Sequence, residues 1–217
     1  MKIIILALKT SNWRSVNEAL ILSGLKSAIL SPSEILKIPK YSICIIPGVG
    51  NIAALVTEFK DIIEIDDLAE FFKFKKIKII GICLGFHFLC SRSFENIYSP
   101  CLNFFKETVE PIYSPPIPSV GWKNLLKKND HTNQISDYLK NFLLSNQFYF
   151  THSYGVSITE RINTHNDYWY YLPKNAKMQI AAIFNENFIG FQFHPEKSGL
   201  HGIKLLDHSI NYLNLRK

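Results

Sequence analysis

The sequence predicts an α/β domain built on a mainly parallel central sheet flanked by helices. Three observations carry that expectation. Runs of β-branched residues stand continuous rather than alternating with polar ones, as in strands covered on both faces. Segments with helical spacing separate those runs. The 217 residues, 47% hydrophobic and 19% charged, suit one domain over 1–217 with a sizeable core.

In chain order, "KIIILAL" (2–8) reads as a buried strand, followed by a helix over 15–24 that Gly24 closes. "SAIL" (27–30) and "YSICIIPG" (41–48) read as further buried strands. Helices are expected over 51–60 and 62–74, a core strand over 76–82 and a short helix over 84–92. Prolines at 100, 111, 115, 116 and 118 predict irregular chain with short strands across 98–125. An amphipathic helix is expected over 131–144. The β segments "QFYFTHSYGV" (147–156), "DYWYYL" (167–172), "QIAAIFN" (179–185) and "FIGFQF" (188–193) follow it. The last helix, 202–214, puts Ile203, Leu206, Ile210 and Leu213 on one stripe.

Composition narrows the function classes. The apolar run from Ile3 to Leu8 is too short for a secretion signal and Lys9 breaks it; no later stretch approaches the ~18 apolar residues that span a bilayer. A cytoplasmic protein without membrane contact is expected. Net charge is +6, densest in "FFKFKKIKII" (71–80), which reads as a solvated or partner-facing helix end. No nucleic-acid motif accompanies it, so no nucleic-acid partner is expected. Four cysteines form no CxxC pair, and the histidines lack metal-ligand spacing. Neither a disulfide framework nor a metal nor a cofactor is expected. Cys44, Cys90 and Cys101 read as small buried apolar residues.

Cys83 reads differently. "GICLG" (81–85) follows a core strand and opens a helix, the layout of a nucleophile elbow whose flanking glycines leave room for a strained turn. A cysteine at a helix N-terminus is biased towards its thiolate. Such a nucleophile needs a base and the base needs an orienting acid, and "FQFHPEKSG" (191–199) supplies His194 and Glu196 just past a late strand. A third segment, "IIPGVGN" (45–51), is a strand ending in a glycine-rich turn that can offer backbone N–H groups to an oxyanion, together with that of Leu84.

PGVG, GICLG and FHPEKSG, in that order and spacing, resemble the class I (triad) glutamine amidotransferases over essentially the whole chain. "NWRSVNEAL" (12–20), "VGWKNL" (120–125) and "FYFTHSYGV" (148–156) are similar to the glutaminase subunit of imidazole glycerol phosphate synthase. The resemblance implies a flavodoxin-like glutaminase in which Cys83 attacks the glutamine side-chain amide and His194, oriented by Glu196, moves protons. It implies an oxyanion held near Val49, Gly50 and Leu84, and a glutamine framed by Gly48 to Gly50, His87, His152, Ser153 and Tyr154. It also implies a heterodimer with a (β/α)8-barrel synthase subunit that receives the ammonia, docked on a face that includes Trp122, Tyr149 and Lys197.

Three positions depart from the family pattern. His87 stands where the family usually has glutamine, and an imidazole cannot copy both functions of an amide at once. "LKTSN" (8–12) replaces an Asp-Tyr-Gly-x-Gly-Asn stretch, and Ser119 replaces a histidine. Two outlets for the ammonia stay open: the histidine pathway, or a paralogous pair feeding a third protein that amidates surface-polysaccharide sugars. The departures tilt the reading towards the second. A non-catalytic, partner-binding subunit is the alternative of a different class.

Overall fold

The computed structural model describes residues 1–95, 98–112, 116–127, 135–157, 167–171 and 178–215. It opens with β1 (Ile3–Leu6), all four residues buried. Helix α1 (Trp13–Leu22) follows, and Gly24, at φ +75°, lets the Leu25 N–H reach the Leu20 carbonyl at 2.9 Å, closing the helix as expected. Next come β2 (Ser27–Leu30), β3 (Ile43–Gly48), α2 (Ile52–Thr57), α3 (Ile65–Phe74), β4 (Lys78–Cys83) and α4 (Leu84–Leu89).

The proline-rich stretch forms short pieces: β5 (Arg92–Ser93), β6 (Ser99–Pro100), β7 (Thr108–Pro111), β8 (Ser119–Asn124) and β9 (Leu126–Lys127). Helix α5 (Asp137–Ser145) starts at a cap in which Ser136 Oγ accepts the Leu139 N–H at 3.3 Å. Positions 131–134 of the helix expected there lie outside the described residues. The chain continues through β10 (Gln147–His152), β11 (Tyr154–Gly155), β12 (Asp167–Tyr171), β13 (Gln179–Phe184) and β14 (Phe188–Phe191) to α6 (Gly199–Leu215). Residue 172 of the expected "DYWYYL" strand is likewise outside the described residues.

Eight strands form the main sheet in the order β2-β1-β3-β4-β14-β13-β12-β9. The first five are parallel and the last three run antiparallel. The continuous apolar runs now have their reason, because alternate residues enter different cores. Ile4, Leu6, Cys44, Ile46 and Ile79 pack with α2, α3 and α4 on one face. Ile3, Ile5, Ile43, Ile45, Ile80 and Ile82 pack with α1, α5 and α6 on the other. One expectation needs correcting: β2 is an edge strand whose residues are only half-buried, not a buried core strand, since only β1 pairs with it in the sheet.

β1 is flanked by β2 on one side and β3 on the other, so the chain reverses its direction of winding there. In such sheets the crevice beyond the strands' carboxyl ends is the place for a ligand. The carboxyl ends of β3, β4 and β14 carry Gly48, Cys83 and, three residues past Phe191, His194. No helix among the described residues is long and apolar enough to cross a membrane.

Candidate active site

Cys83 is the last residue of β4 and pairs in parallel register with Gly48, the last of β3. The glycine-rich turn and the cysteine therefore arrive side by side. Cys83 sits at φ +52°, a left-handed conformation that a side chain tolerates only where the surroundings enforce it. The enforcement is close packing. A Cβ on Gly85 would lie 1.7 Å from the Ile46 carbonyl oxygen, and one on Gly81 would lie 2.5 Å from the Gly85 oxygen. Only glycines fit, which turns the sequence expectation of an elbow into a geometric fact.

β14 runs beside β4 and brings His194 to the same end of the sheet. Nδ1 of His194 lies 2.7 Å from Glu196 Oε1, and both side chains are fully shielded from water. Asn12 Nδ2 donates to the same carboxylate oxygen at 2.5 Å. With Nδ1–H held by the carboxylate, Nε2 is left free; it is buried without a hydrogen-bond partner among the described residues and is coupled electrostatically to Cys83. Burial disfavours the His194 cation, but Cys83 and Glu196 outweigh it and push the pKa up to about 9. Burial likewise opposes a Cys83 thiolate, yet His194, with the charge of His87, holds that thiol below its usual range. The two shifts reinforce each other: His194 favours the Cys83 thiolate, and Cys83 favours the His194 cation.

Beside Cys83 lies a cavity of about 380 Å³ whose walls include Val49, Gly50, Leu84, His152, Ser153 and Tyr154. Gly48 lies against the elbow, where a Cβ would meet the Leu84 side chain at 2.6 Å. His152 Nδ1–H donates to the Tyr154 carbonyl at 2.7 Å, and burial drives its pKa down to about 3, so it is a neutral wall. The Val49 N–H donates to the Thr10 carbonyl at 2.7 Å rather than into the cavity. His87 reaches the cavity wall, but both ring nitrogens have protein partners: Nδ1 lies 2.6 Å from Glu95 Oε1 and Nε2 2.9 Å from Gln192 Oε1.

Glu95, Gln192 and Asn12 are site residues that the sequence reasoning missed. Gln192 carried a signal, since it precedes His194 by two positions at a strand end. Glu95 and Asn12 carried none, because Glu95 meets His87 only across an irregular loop and Asn12 meets Glu196 from the opposite end of the chain.

The three residues expected on a docking face cluster around the triad turn. Trp122 is 52% exposed and packs edge-on against Tyr149, its register partner across β8 and β10, with ring centroids 6.0 Å apart. The Tyr149 carbonyl accepts the His194 N–H at 2.9 Å, and Lys197, exposed, follows Glu196 directly.

A cysteine on a strained strand-end turn, with a buried histidine–carboxylate pair and a glycine-rich turn beside it, is an arrangement that can carry nucleophilic acyl transfer. The chain belongs to the family described as glutamine amidotransferase class-I, which it matches over residues 7–211. It is 33% identical to the imidazole glycerol phosphate synthase subunit HisH of Blochmanniella floridana, covering 95% of this chain and 97% of that one. It is 34% identical to the subunit of the same name from Caldanaerobacter subterraneus subsp. tengcongensis, covering 90% of each. A solved glutamine amidotransferase, 14% identical, shares the fold with a TM-score of 0.69 over 99% of this chain and 100% of the other.

Proposed function

We propose that the chain is a glutaminase subunit that releases ammonia from glutamine to a (β/α)8-barrel synthase partner, in a heterodimer. The observation that carries this reading is geometric: Cys83, on its strained strand-end turn, and His194, held by Glu196 at 2.7 Å, line one cavity of about 380 Å³.

The chemistry follows from the geometry. The Cys83 thiolate attacks the side-chain carbonyl carbon of glutamine, and the oxygen becomes an oxyanion. The N–H of Leu84 and those around Val49 and Gly50 receive that charge, which requires Val49 to exchange its Thr10 partner for the oxyanion. The His194 imidazolium donates its proton to the departing nitrogen, and ammonia leaves a glutamyl thioester. A water molecule, deprotonated by the now neutral His194, attacks the thioester and releases glutamate and the Cys83 thiolate. No cofactor takes part.

The names of the relatives favour the histidine pathway as the destination of the ammonia. His87, Ser119 and the 8–12 segment favour a second outlet, a third protein that amidates a surface-polysaccharide sugar. Complementation of a histidine auxotroph lacking the glutaminase subunit separates the two: growth supports the histidine outlet. Mixed with its barrel partner, the chain is expected to release glutamate, and Cys83→Ala to stop release while the complex still forms. Wild-type release no faster than that of Cys83→Ala would leave a non-catalytic, partner-binding subunit. Trp122→Ala is expected to weaken partner binding about tenfold without changing the isolated chain's cysteine reactivity, as titrated binding would measure.

A further inference from the structure

We propose that Glu95, His87 and Gln192 form a positioning relay that turns the Gln192 amide N–H towards the Cys83 sulfur and so holds the nucleophile as a thiolate. The inference rests on Cys83 being the nucleophile of the glutaminase.

Three contacts in series make the relay. Glu95 Oε1 lies 2.6 Å from His87 Nδ1, His87 Nε2 lies 2.9 Å from Gln192 Oε1, and Gln192 Nε2 lies 3.9 Å from Cys83 Sγ. Its outer end is anchored. Glu95 Oε2 accepts the Ile52 N–H at 2.9 Å, at the first turn of α2, so the carboxylate cannot swing away from His87. His87, Glu95 and Gln192 are all buried, with 3%, 3% and 0% of their surface exposed.

The protonation of His87 decides which end of the Gln192 amide meets the sulfur. A buried carboxylate against an imidazole favours the imidazolium, whose two nitrogens are both donors. Burial alone opposes that charge, but Glu95 outweighs it and raises the His87 pKa. An Nε2–H donor requires an acceptor, so Gln192 presents its oxygen to His87 and its NH2 group to Cys83. A neutral His87 whose Nδ1–H stays with Glu95 would offer a lone pair at Nε2. The amide would then reverse and set its oxygen against the sulfur, which suits a thiol and repels a thiolate. The relay thus selects the reactive form of the cysteine.

The charged and titratable neighbours are few. Cys83 is faced by His194 and Glu196 from the turn after β14, by His87 from α4, and by the neutral His152 from β10. Glu95 is also within electrostatic reach of the Cys90 and Cys101 thiols, which stay protonated. His87 therefore works as a positioning residue through Gln192. The imidazole at this position, unlike an amide, brings a charge to the relay.

The test is the rate of Cys83 alkylation by chloroacetamide as a function of pH in the full chain, with the Cys83→Ala background subtracted. His87→Ala and Gln192→Met are each expected to raise the midpoint by about one pH unit, an about tenfold slower reaction below both midpoints. The double variant is expected to shift no further than the larger single one. His87→Gln is expected to recover part of the shift, since its amide N–H can still donate to Gln192. Gln192→Met, close in shape, carries the test should His87→Ala fail to fold. Unchanged midpoints in folded Gln192→Met and His87→Gln, or additive shifts in the double variant, would overturn the relay. Glutamate release measured in parallel separates the two claims. A wild-type chain that alkylates at a depressed midpoint but releases no glutamate overturns the glutaminase reading and leaves the relay standing.

Discussion

The two ends of α4 carry cysteines that are both buried and chemically opposite. Cys83 enters the helix with a thiol held below its ordinary range, while Cys90 leaves it with one raised well above. Burial pushes both upward. At Cys90 no cation answers it: the thiol donates to the Phe86 carbonyl at 3.5 Å, and its neighbours Cys101, Glu107 and Glu95 only raise its pKa further. At Cys83 the cationic His194 and His87 reverse the balance. A buried cysteine is therefore inert by default, and what lowers the pKa of this one comes from the next turn of its own helix, at His87, and from the far end of the chain, at His194.

That contrast can be broken in order of expected size. Cys83→Ala should lower glutamate release by at least ~10⁴-fold, because nucleophile and base act as a unit. Glu196→Gln should lower kcat by about 10³- to 10⁴-fold while leaving glutamine affinity close to wild type, since the amide no longer fixes the His194 tautomer. Steady-state glutamate release measures both. Gly85→Ala should destabilise the fold by about 3 kcal/mol, seen as a lower denaturant midpoint, because its Cβ would collide with the Ile46 carbonyl.

Activity against pH sharpens the same comparison. Acylation needs Cys83 ionised and His194 protonated, so the rate should rise at a pH below the usual thiol range and fall as pH passes about 9. The sign follows from His194: its raised pKa keeps the proton for the leaving ammonia up to that point. Glu196→Gln should move the alkaline limb to lower pH, because the carboxylate that supports the cation is gone. The smallest effect belongs to the inert end: Cys90→Ala should leave glutamate release within about twofold and cost about 1 kcal/mol of stability for the lost packing.

The parallel half of the sheet was legible because β1, β3 and β4 are local runs rich in β-branched residues, such as Ile3–Ile5 and Ile79–Ile80. β2 misled for the same reason: "SAIL" looks like core, and only its place at the sheet edge exposes it. Cys83 and the His194–Glu196 pair were legible as candidates because each sits in a short motif, and the β4–β14 pairing brings the two motifs to one end of the sheet. His87 was legible as a departure and not as a relay. Its meaning depends on Glu95, eight residues on across a loop, and on Gln192, brought alongside by the β4–β14 pairing. Asn12 was hidden likewise, since its link to Glu196 spans most of the chain.

The most direct measurement is covalent labelling of the full chain by a chloroketone analogue of glutamine, followed by mass mapping of the modified peptide. The label is expected on Cys83, at a rate that added glutamine slows. A label on Cys90 or Cys101, or labelling of Cys83 that glutamine leaves untouched, would contradict a glutamine-binding nucleophile at this elbow.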